Sequence, residues 1–360
     1  MNVLSLFDGM SCGQQALERN GIKVDNYFAS EIDKYAITVT MANYPNTKQI
    51  GSVIDVDGYS LPKIDLLMGG SPCQSFSFAG RRKGMSTKDE QEILTLDHYL
   101  QLKSEGFEFE GQSYLFWEYM RLLYECKPKY FLLENVMMGE KWEKILSKAI
   151  GVNPIMINSS LLSAQNRQRL YWTNIGLEPA GLFGYPQSTI EQPNDKGILL
   201  KDVLESQVDE KYYLSEKMIN GYKSVQIREV KQLNTSLESG GKQPYQQNRV
   251  YDTEGISPAL CANKSDLIVA MRGRPNKDGI NIQQFEPRED GKTNCLTSVQ
   301  KDNLVNRSNT IRRLTPTECE RLQTVKDNYT NHVSDSQRYK MLGNGWTVDV
   351  IRHILNYMKI

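Results

Sequence analysis

The chain has 360 residues, of which 39% are hydrophobic and 24% charged, and a net charge of zero. This length and balance are typical of a folded protein with one large and one smaller domain. No long apolar span and no basic, apolar-cored leader occurs in the sequence, so we expect no membrane segment, no secretion and a cytoplasmic location. Six scattered cysteines without a C-x-x-C pair, together with three histidines, favour free thiols and no metal site.

The first predicted unit is a strand, a glycine-bearing turn and a helix, over residues 2–7, 8–13 and 14–20. A turn of this kind lets the backbone approach a ligand at the amino terminus of a helix. The pattern also fits a dinucleotide-binding enzyme or an ordinary strand-to-helix turn. It therefore supports a cofactor site without choosing the cofactor.

An acidic residue, Glu31, follows the second predicted strand at residues 26–30, about twenty residues after the first turn. A carboxylate in this position can accept hydrogen bonds from both hydroxyl groups of a ribose. It can also cap the helix that is predicted to begin at Ile32. The two roles are compatible.

The most informative stretch surrounds Cys73. Residues 64–68 are a short apolar run bounded by turn residues, which predicts a buried strand. Gly69 and Gly70 end that strand, and Pro72 keeps the preceding residue out of helical geometry. Cys73 is therefore expected on a loop at the carboxyl end of a strand. A lone cysteine there is most often a small apolar side chain that fills space.

A second acid, Glu134, ends the apolar strand predicted over residues 129–133. Glu31, Cys73 and Glu134 would then lie at the carboxyl ends of strands in one sheet, which is the edge where ligands bind in open α/β sheets. Three reactive or acidic groups on one edge favour an active site over three unrelated positions.

These stretches resemble the motifs of DNA cytosine-5 methyltransferases, and they occur in the family's order over residues 1–175 and 311–360. Some details are similar to the animal de novo branch and its phage relatives. The resemblance implies an α/β, Rossmann-like S-adenosylmethionine-dependent methyltransferase fold with a mixed sheet, plus a smaller β-rich target recognition domain. The segments that carry it are Phe7-Asp8-Gly9, Glu31, Pro72-Cys73-Gln74, Glu134-Asn135-Val136, Gln165-Asn166-Arg167-Gln168-Arg169, Arg313-Leu314-Thr315-Pro316 with Glu318 and Arg321-Leu322-Gln323, and Gly343-Asn344-Gly345.

The resemblance divides the chain into a catalytic, cofactor-binding domain at residues 1–175, a target recognition domain at 176–310 and a C-terminal segment at 311–360 that returns to the first domain. In the middle region, residues 254–269 and 290–305 repeat a turn–strand–turn–strand pattern, which predicts stacked hairpins. The helix predicted at residues 348–358 has an apolar face suited to packing on the sheet.

The implied cofactor is S-adenosyl-L-methionine, with S-adenosyl-L-homocysteine as its product and no metal. Two positions depart from the family pattern. Ser11 and Cys12 stand where many members have glycines, and Ser52 stands where the family usually has an aspartate for the adenine amino group. Asp55 is the alternative partner for that group. The residues implied to bind the cofactor are Phe7, Asp8, Gly9, Met10, Cys12, Glu31, Ile32, Ser52, Val53, Ser71, Leu115, Asn344 and Trp346.

In the implied mechanism, the Cys73 thiolate adds to C6 of cytosine and makes C5 nucleophilic enough to take a methyl group. A protonated Glu134 would hydrogen-bond N3 and the exocyclic amine and offset the charge that builds on the ring. Arg169 would contact O2, and Arg167 would orient the loop or a phosphate. The base that removes the C5 proton is not identified, and water is a candidate. A stacked base cannot reach these groups, so the cytosine should be flipped out of the duplex.

The implied macromolecular partner is double-stranded DNA. Residues 78–111 are expected to form a lid that is longer than usual for the family, with a helix predicted over 91–103; a helix packed on the domain surface is the alternative. Basic side chains in the lid suit phosphate contacts. Two arginines in the recognition region suit guanine edges, or are simply exposed loop charges. The residues implied to contact DNA are Gln74, Ser77, Arg81, Arg82, Lys83, Gln165, Arg272 and Arg274.

The leading interpretation is a DNA cytosine-5 methyltransferase that acts as a monomer, either beside a cognate restriction endonuclease or in protecting phage DNA in the host cytoplasm. A tRNA cytosine-5 methyltransferase is the first alternative, although RNA-modifying members usually have a smaller region than 176–310. A catalytically inactive DNA-binding regulator is the second, and the presence of Cys73, Glu134 and both arginines argues against it. A nicotinamide dehydrogenase is the weakest, because nothing in the sequence supplies its proton-transfer chemistry.

Overall fold

A computed structural model of the chain describes residues 1–72, 85–89, 91–109, 111–180, 185–215, 267–275, 281–288, 290–298, 304–307 and 310–359. Several predicted site residues lie outside this set: Cys73, Gln74, Ser77, Arg81, Arg82 and Lys83. In the described segments, no helix is long and apolar enough to cross a membrane.

The chain divides into two compact units. The first comprises Met1–Glu205, Lys292–Gln300 and Pro316–Ile360, and the second comprises Ser206–Gly291 and Lys301–Thr315. This division differs from the boundaries expected at residues 176 and 310, because residues 176–205 and 292–300 group with the first unit.

The first unit is built on a mixed seven-stranded sheet with the order β3-β2-β1-β4-β5-β7-β6. The first five of these strands in the order run parallel, and β7 is antiparallel to both of its neighbours. The predicted α/β fold with a mixed sheet is thereby confirmed. The strands are β1 (Asn2–Leu6), β2 (Asn26–Ser30), β3 (Lys48–Gln49), β4 (Leu66–Gly70), β5 (Tyr130–Val136), β6 (Ile155–Asn158) and β7 (Gln168–Thr173), and a separate hairpin is formed by β8 (Leu177–Ala180) and β9 (Tyr185–Ser188).

Helices surround this sheet and bury its central strands, as the continuous apolar runs predict. Trp117 and Tyr119 of α4 are fully buried, and α9 lies beside α1 with Ile351 and Ile354 in the core, as expected for the C-terminal helix. The helices are α1 (Cys12–Arg19), α2 (Lys34–Asn43), α3 (Leu96–Ser104), α4 (Leu115–Cys126), α5 (Glu140–Ile150), α6 (Leu200–Val203), α7 (Pro316–Leu322), α8 (Asp335–Asn344) and α9 (Val348–Leu355).

The long segment before α4 contains the helix that its spacing predicts, but α3 begins at Leu96 instead of residue 91. The Thr95 side chain accepts a hydrogen bond from the His98 amide at 3.2 Å and so caps the helix. Tyr99 and Leu102 are buried against α4, which is the alternative of a helix packed on the domain.

The second unit contains a four-stranded antiparallel sheet with the order β11-β10-β12-β13. Arg272 and Arg274 both lie on β10. The predicted hairpin repeat is only partly testable, because residues 254–266 lie outside the described residues. Its second copy is not a hairpin: residues 290–296 form no strand, and Thr293 makes an isolated bridge to Gln165. The strands are β10 (Leu267–Pro275), β11 (Asn281–Arg288), β12 (Leu304–Arg307) and β13 (Thr310–Arg313).

Gly343 marks a close approach of two backbones. A Cβ atom added there would lie 2.4 Å from the Thr297 carbonyl carbon and from the Ser298 amide nitrogen. We predict that Gly343→Ala lowers the free energy of unfolding by about 1–3 kcal/mol despite the better helix propensity of alanine, because backbone cannot yield as a side chain can.

Thermal unfolding measures this effect, with Gly139→Ala as the matched control. An added Cβ at Gly139 meets nothing within 4 Å, and its φ of −68° suits alanine. Equal melting temperatures for the two variants would contradict the close approach.

Candidate active site

The carboxyl ends of β1, β2, β4 and β5 form one edge of the sheet, hereafter the carboxyl edge. Leu6 pairs with Ser30 on one side and Gly69 on the other, and Gly70 pairs with Glu134. The antiparallel β7 begins at the same edge, where Arg169 pairs with Val136. Phe7, Glu31, Ser71, Glu134 and Arg169 are therefore brought together by the strand order. Cys73 follows β4 by three residues and lies outside the described residues.

The turn after β1 has an unusual backbone. Phe7, Gly9 and Ser11 all have left-handed φ angles, of 55°, 59° and 57°. Non-glycine residues rarely adopt this conformation, and it concentrates at functional turns. A Cβ atom added to Gly9 would meet nothing within 4 Å, so open space lies beside the turn.

Glu31 connects the turn to the start of α2. Its Oε2 accepts a hydrogen bond from the Gly9 amide at 2.8 Å, and its Oε1 accepts from the amides of Ile32 and Asp33 at 2.7 and 2.8 Å. The helix begins at Lys34 with Asp33 as its N-cap, so Glu31 binds the two amides that precede the helix and does not cap it as predicted. Oε1 already accepts two hydrogen bonds, so Oε2 is the oxygen that keeps a lone pair for a further donor. Ile32 is 73% exposed, a large apolar side chain left beside this carboxylate.

The side chains within the turn support it from inside. Asp8 accepts hydrogen bonds from the hydroxyl groups of Tyr27, at 2.7 Å, and Ser11. Burial raises the pKa of the Asp8 carboxyl to about 6, against the lowering effect of these hydrogen bonds. Met10 and Cys12 are almost completely buried, and burial raises the pKa of the Cys12 thiol to about 12, so that thiol stays neutral.

The predicted adenine loop follows β3. The Ser52 hydroxyl accepts a weak hydrogen bond from the Ile54 amide at 3.3 Å. Val53 is buried, and its carbonyl accepts a hydrogen bond from Arg121 of α4 at 3.0 Å. Leu115 is the first residue of α4 and is half-buried against the core.

Glu134 is the centre of the carboxyl edge. It is 8% exposed, and its two oxygens have different partners: Arg169 Nε lies 2.9 Å from Oε1, and Trp346 Nε1 donates to Oε2 at 3.1 Å. A Cβ atom added to Gly70 would lie 2.9 Å from the Trp346 indole nitrogen and 3.0 Å from the Glu134 carboxylate. A side chain at this strand end would have to displace the indole or the carboxylate.

Cys295 joins the two arginines of the Gln-x-Arg-x-Arg motif, and the sequence offered no signal for it. Its Sγ lies 3.1 Å from Arg167 Nη1 and 3.6 Å from Arg169 Nη2. Burial raises the pKa of the Cys295 thiol, but the two guanidinium groups outweigh this effect and lower it overall.

Arg167 and Gln165 are interior residues. Arg167 is 3% exposed and donates to the carbonyls of Gly343 and Gly345 at 3.2 and 2.9 Å. Gln165 is fully buried, donates to the Leu322 carbonyl at 3.2 Å and accepts from the Leu296 amide at 2.9 Å. Its position does not support the predicted DNA contact of Gln165, because its amide is used inside the protein.

These interior contacts set the position of the last predicted site residues. Gln323 donates to the carbonyls of Leu342 and Gly345, so Arg167 and Gln323 together hold the end of α8, where Asn344 lies, and the loop that carries Trp346. On the other side of the edge, Asn135 donates to the carbonyl and hydroxyl oxygens of Ser71 at 3.2 and 3.1 Å. In the part of the chain that is described, no group of three or more His, Cys, Asp or Glu side chains could hold a metal ion.

Comparison with known proteins defines the class. The family model of C-5 cytosine-specific DNA methylases matches residues 1–359, and the chain belongs to this family. It is therefore a DNA cytosine-5 methyltransferase, and members of this family use S-adenosylmethionine.

Two curated relatives come from a phage and a bacterium. The orphan methyltransferase M.SPRI of Bacillus phage SPR is 28% identical, with 98% of this chain and 96% of the relative covered. The type II methyltransferase M.NlaX of Neisseria lactamica is also 28% identical, with 99% and 96% covered. The names of these relatives place the family in a phage and restriction–modification context.

Solved structures share the fold. The S. pombe Dnmt2 methyltransferase has a TM-score of 0.58 at 16% identity, with 100% of both chains covered. A Spodoptera frugiperda DNMT2 mutant has a TM-score of 0.57 at 17% identity, with 99% of this chain and 98% of that chain covered.

The Asp8 carboxyl makes stability depend on pH. Because its folded pKa of about 6 exceeds its ordinary value of 3.8, ionisation costs more in the folded protein than in the unfolded chain. We predict that the free energy of unfolding of the wild type falls, relative to Asp8→Asn, as the pH rises from about 4 to about 6. The difference is at most about 3 kcal/mol, because Asp8 is partly exposed.

Urea unfolding of both proteins at several pH values measures this difference. The asparagine keeps an acceptor for Tyr27 but places an N–H where Asp8 accepts from the Ser11 hydroxyl, so the charge is reported by how the stability difference changes with pH and not by its size at one pH. Curves of stability against pH that run parallel for the two proteins would contradict the raised pKa.

Proposed function

We propose that this protein methylates C5 of a cytosine flipped out of a specific double-stranded DNA sequence, using S-adenosyl-L-methionine and a covalent bond between Cys73 and C6. The observation that carries the proposal is the geometry at Glu134. A buried carboxylate at the carboxyl edge is held by Arg169 and Trp346, on the strand next to the one that leads into Cys73.

The neighbouring part of the edge fits S-adenosyl-L-methionine. The remaining acceptor site on Glu31 Oε2 suits a ribose hydroxyl, exposed Ile32 offers an apolar surface for the adenine, and the open space beside Gly9 admits a ligand against the backbone. Val53 and Trp346 are further proposed contacts of the ligand. When bound, the cofactor supplies an electrophilic methyl group.

At the base, Glu134 and Arg169 act as a pair. A protonated Glu134 would donate to N3 and accept from the exocyclic amine, and Arg169, already fixed through its Nε, would direct remaining N–H groups at O2. Both contacts would grow stronger as negative charge builds on the ring. They would therefore stabilise the transition state more than the bound substrate, and that difference is what accelerates the reaction. Arg167 is a positioning residue in this scheme, since its guanidinium is used on backbone carbonyls and Cys295.

Cys73 would be the nucleophile. Its thiolate would form a bond to C6, and C5 would then take the methyl group, with S-adenosyl-L-homocysteine as the leaving group. A base would remove the C5 proton, and the bond between C6 and the Cys73 sulfur would break to restore the ring. The Asn135 contacts to Ser71 would fix the start of the loop two residues before this thiol.

The proposed DNA contacts fall in two groups. Gln74, Ser77, Arg81, Arg82 and Lys83 stay proposed contacts near the flipped base, and Arg272 and Arg274 on β10 stay proposed contacts to the target sequence. The target recognition role is proposed for the second unit. The protein would act as a monomer in the cytoplasm of a bacterium, in restriction–modification beside an endonuclease or in phage DNA protection.

A mechanism-based trap tests the proposal. Duplex DNA containing 5-fluorocytosine is incubated with S-adenosyl-L-methionine and the protein, with Cys73→Ala in parallel, and resolved on a denaturing gel. Fluorine cannot leave as a proton does, so we expect a covalent adduct with the wild type alone. No adduct on DNA of varied sequence, with methylation of tRNA instead, would replace the proposal with an RNA substrate. No adduct with retained DNA binding would indicate an inactive regulator.

Glu134 gives a sharper test of the base contact. We predict that Glu134→Gln lowers kcat by about 10²–10⁴-fold, because glutamine keeps the shape but cannot supply a carboxylic acid proton. Its control is Glu140→Gln, which changes an exposed acid on α5 that pairs with Lys144 at the surface. Initial rates of methyl transfer to duplex DNA measure both. A Glu134→Gln enzyme with wild-type kcat would remove Glu134 from the mechanism.

A further inference from the structure

A buried group of charges joins the helix of the long insert to the loop after β3. We propose that α3 is a positioning element for the cofactor loop at residues 53–58, acting through Tyr99 and Lys103 on Glu118 and then through Arg121 on Val53. We call these side chains, with Glu125, the α3–α4 relay. The identity of the bound ligand rests on the function proposed above; the relay itself rests on contacts within the first unit.

Glu118 is the centre of the relay. It is fully buried on α4, yet it is a charged residue type that is seldom buried without partners. Its Oε1 accepts from Lys103 Nζ at 2.5 Å and from the Tyr99 hydroxyl, and its Oε2 accepts from Arg121 Nε at 2.7 Å. Two of these three donors belong to α3, so the insert supplies part of the compensation for a buried carboxylate.

Arg121 passes this constraint to the loop. Its Nη1 donates to both oxygens of Glu125 at 2.9 Å, and its Nη2 donates to the Val53 carbonyl at 3.0 Å. Every nitrogen of the guanidinium is used, so its plane is fixed by partners on both sides. A shift of Glu118 therefore moves the donor that holds Val53.

Glu125 holds the other end of the loop. Its Oε2 accepts from the Gly58 amide at 2.8 Å, and a Cβ atom added to Gly58 would lie 2.7 Å from the Glu125 side chain. Val53 and Gly58 are thus both tied to one face of α4. The loop between them contains Asp55, which the sequence offers beside Ser52 as a partner for the adenine amino group implied by the resemblance.

The insert is firmly packed at this point. Tyr99 is 1% exposed and its ring stands 5.0 Å from the ring of Phe109 and 6.1 Å from that of Tyr114. Met85 and Ile93 of the same insert are fully buried. A segment that only covered DNA would not need charged contacts in the interior of the cofactor-binding unit, and that is why we assign α3 a role at the cofactor.

Two mild substitutions test the relay without removing Arg121. Tyr99→Phe deletes one hydroxyl, and Lys103→Met deletes one charge while keeping most of the side-chain volume. We expect each to weaken binding of S-adenosyl-L-homocysteine about five- to tenfold by calorimetry, a size typical of coupling between sites. The KM for S-adenosyl-L-methionine should rise to match, with kcat and the KM for DNA within twofold of the wild type.

Matched controls make the same chemical changes at sites outside the α3–α4 relay. Tyr124→Phe removes a hydroxyl from an exposed tyrosine of α4, and Lys141→Met breaks an exposed ion pair with Glu92 of the insert. Neither touches Glu118, so both should bind the ligand as the wild type does. Melting temperatures of all four variants report any general loss of stability.

Hydrogen exchange in the protein without ligand gives a readout that does not depend on the proposed function. The amides of residues 53–58 should exchange faster in Tyr99→Phe and Lys103→Met than in the wild type and the controls. Unchanged exchange at 53–58 together with unchanged ligand affinity would overturn the relay. If the wild type fails to bind S-adenosyl-L-homocysteine, the proposed function fails, and the exchange data alone decide whether α3 positions the loop.

Discussion

Glu134 brings three separate segments of the chain to one carboxylate. It stands on β5, while Arg169 comes from the antiparallel β7 and Trp346 from the loop before the last helix. A buried carboxylate is costly unless donors compensate it, so the fold has to deliver both partners to the carboxyl edge. The reversal of β7 serves this end, because only an antiparallel strand next to β5 begins at the edge where β5 ends.

The C-terminal segment is held by hydrogen bonds from buried amide and guanidinium groups, which an apolar side chain could not make. Arg167 and Gln323 donate to carbonyls of the loop that carries Trp346, and Gln165 closes the group from the other side. Buried polar networks of this kind are stable only when fully satisfied, and they then fix one arrangement. Gln165 and Arg167 belong to a motif that the resemblance links to DNA and the base. Their contacts in the structure are with the protein itself.

The sequence alone was sufficient to predict the central strands and the residues that lie at the carboxyl edge. The apolar runs before Glu31, Cys73 and Glu134 predicted β2, β4 and β5, because central parallel strands must be buried on both faces. It was not sufficient for contacts between distant residues. Cys295 meets Arg167 across more than a hundred residues, and nothing local marks it. Likewise, Glu118 and Arg121 have the spacing of an ordinary surface pair on a helix, and only the packing of α3 shows that the pair is interior.

The central claim is that the Glu134 edge serves cytosine C5 chemistry on DNA. The most direct measurement expresses the wild type and Cys73→Ala in bacteria that lack cytosine methylation, digests genomic DNA and tRNA to nucleosides, and identifies methylated bases by mass spectrometry. The account predicts 5-methyl-2′-deoxycytidine in DNA from cells with the wild type and none with the variant. Methyl groups at N4 of cytosine, or 5-methylcytidine in tRNA with unmodified DNA, would contradict it.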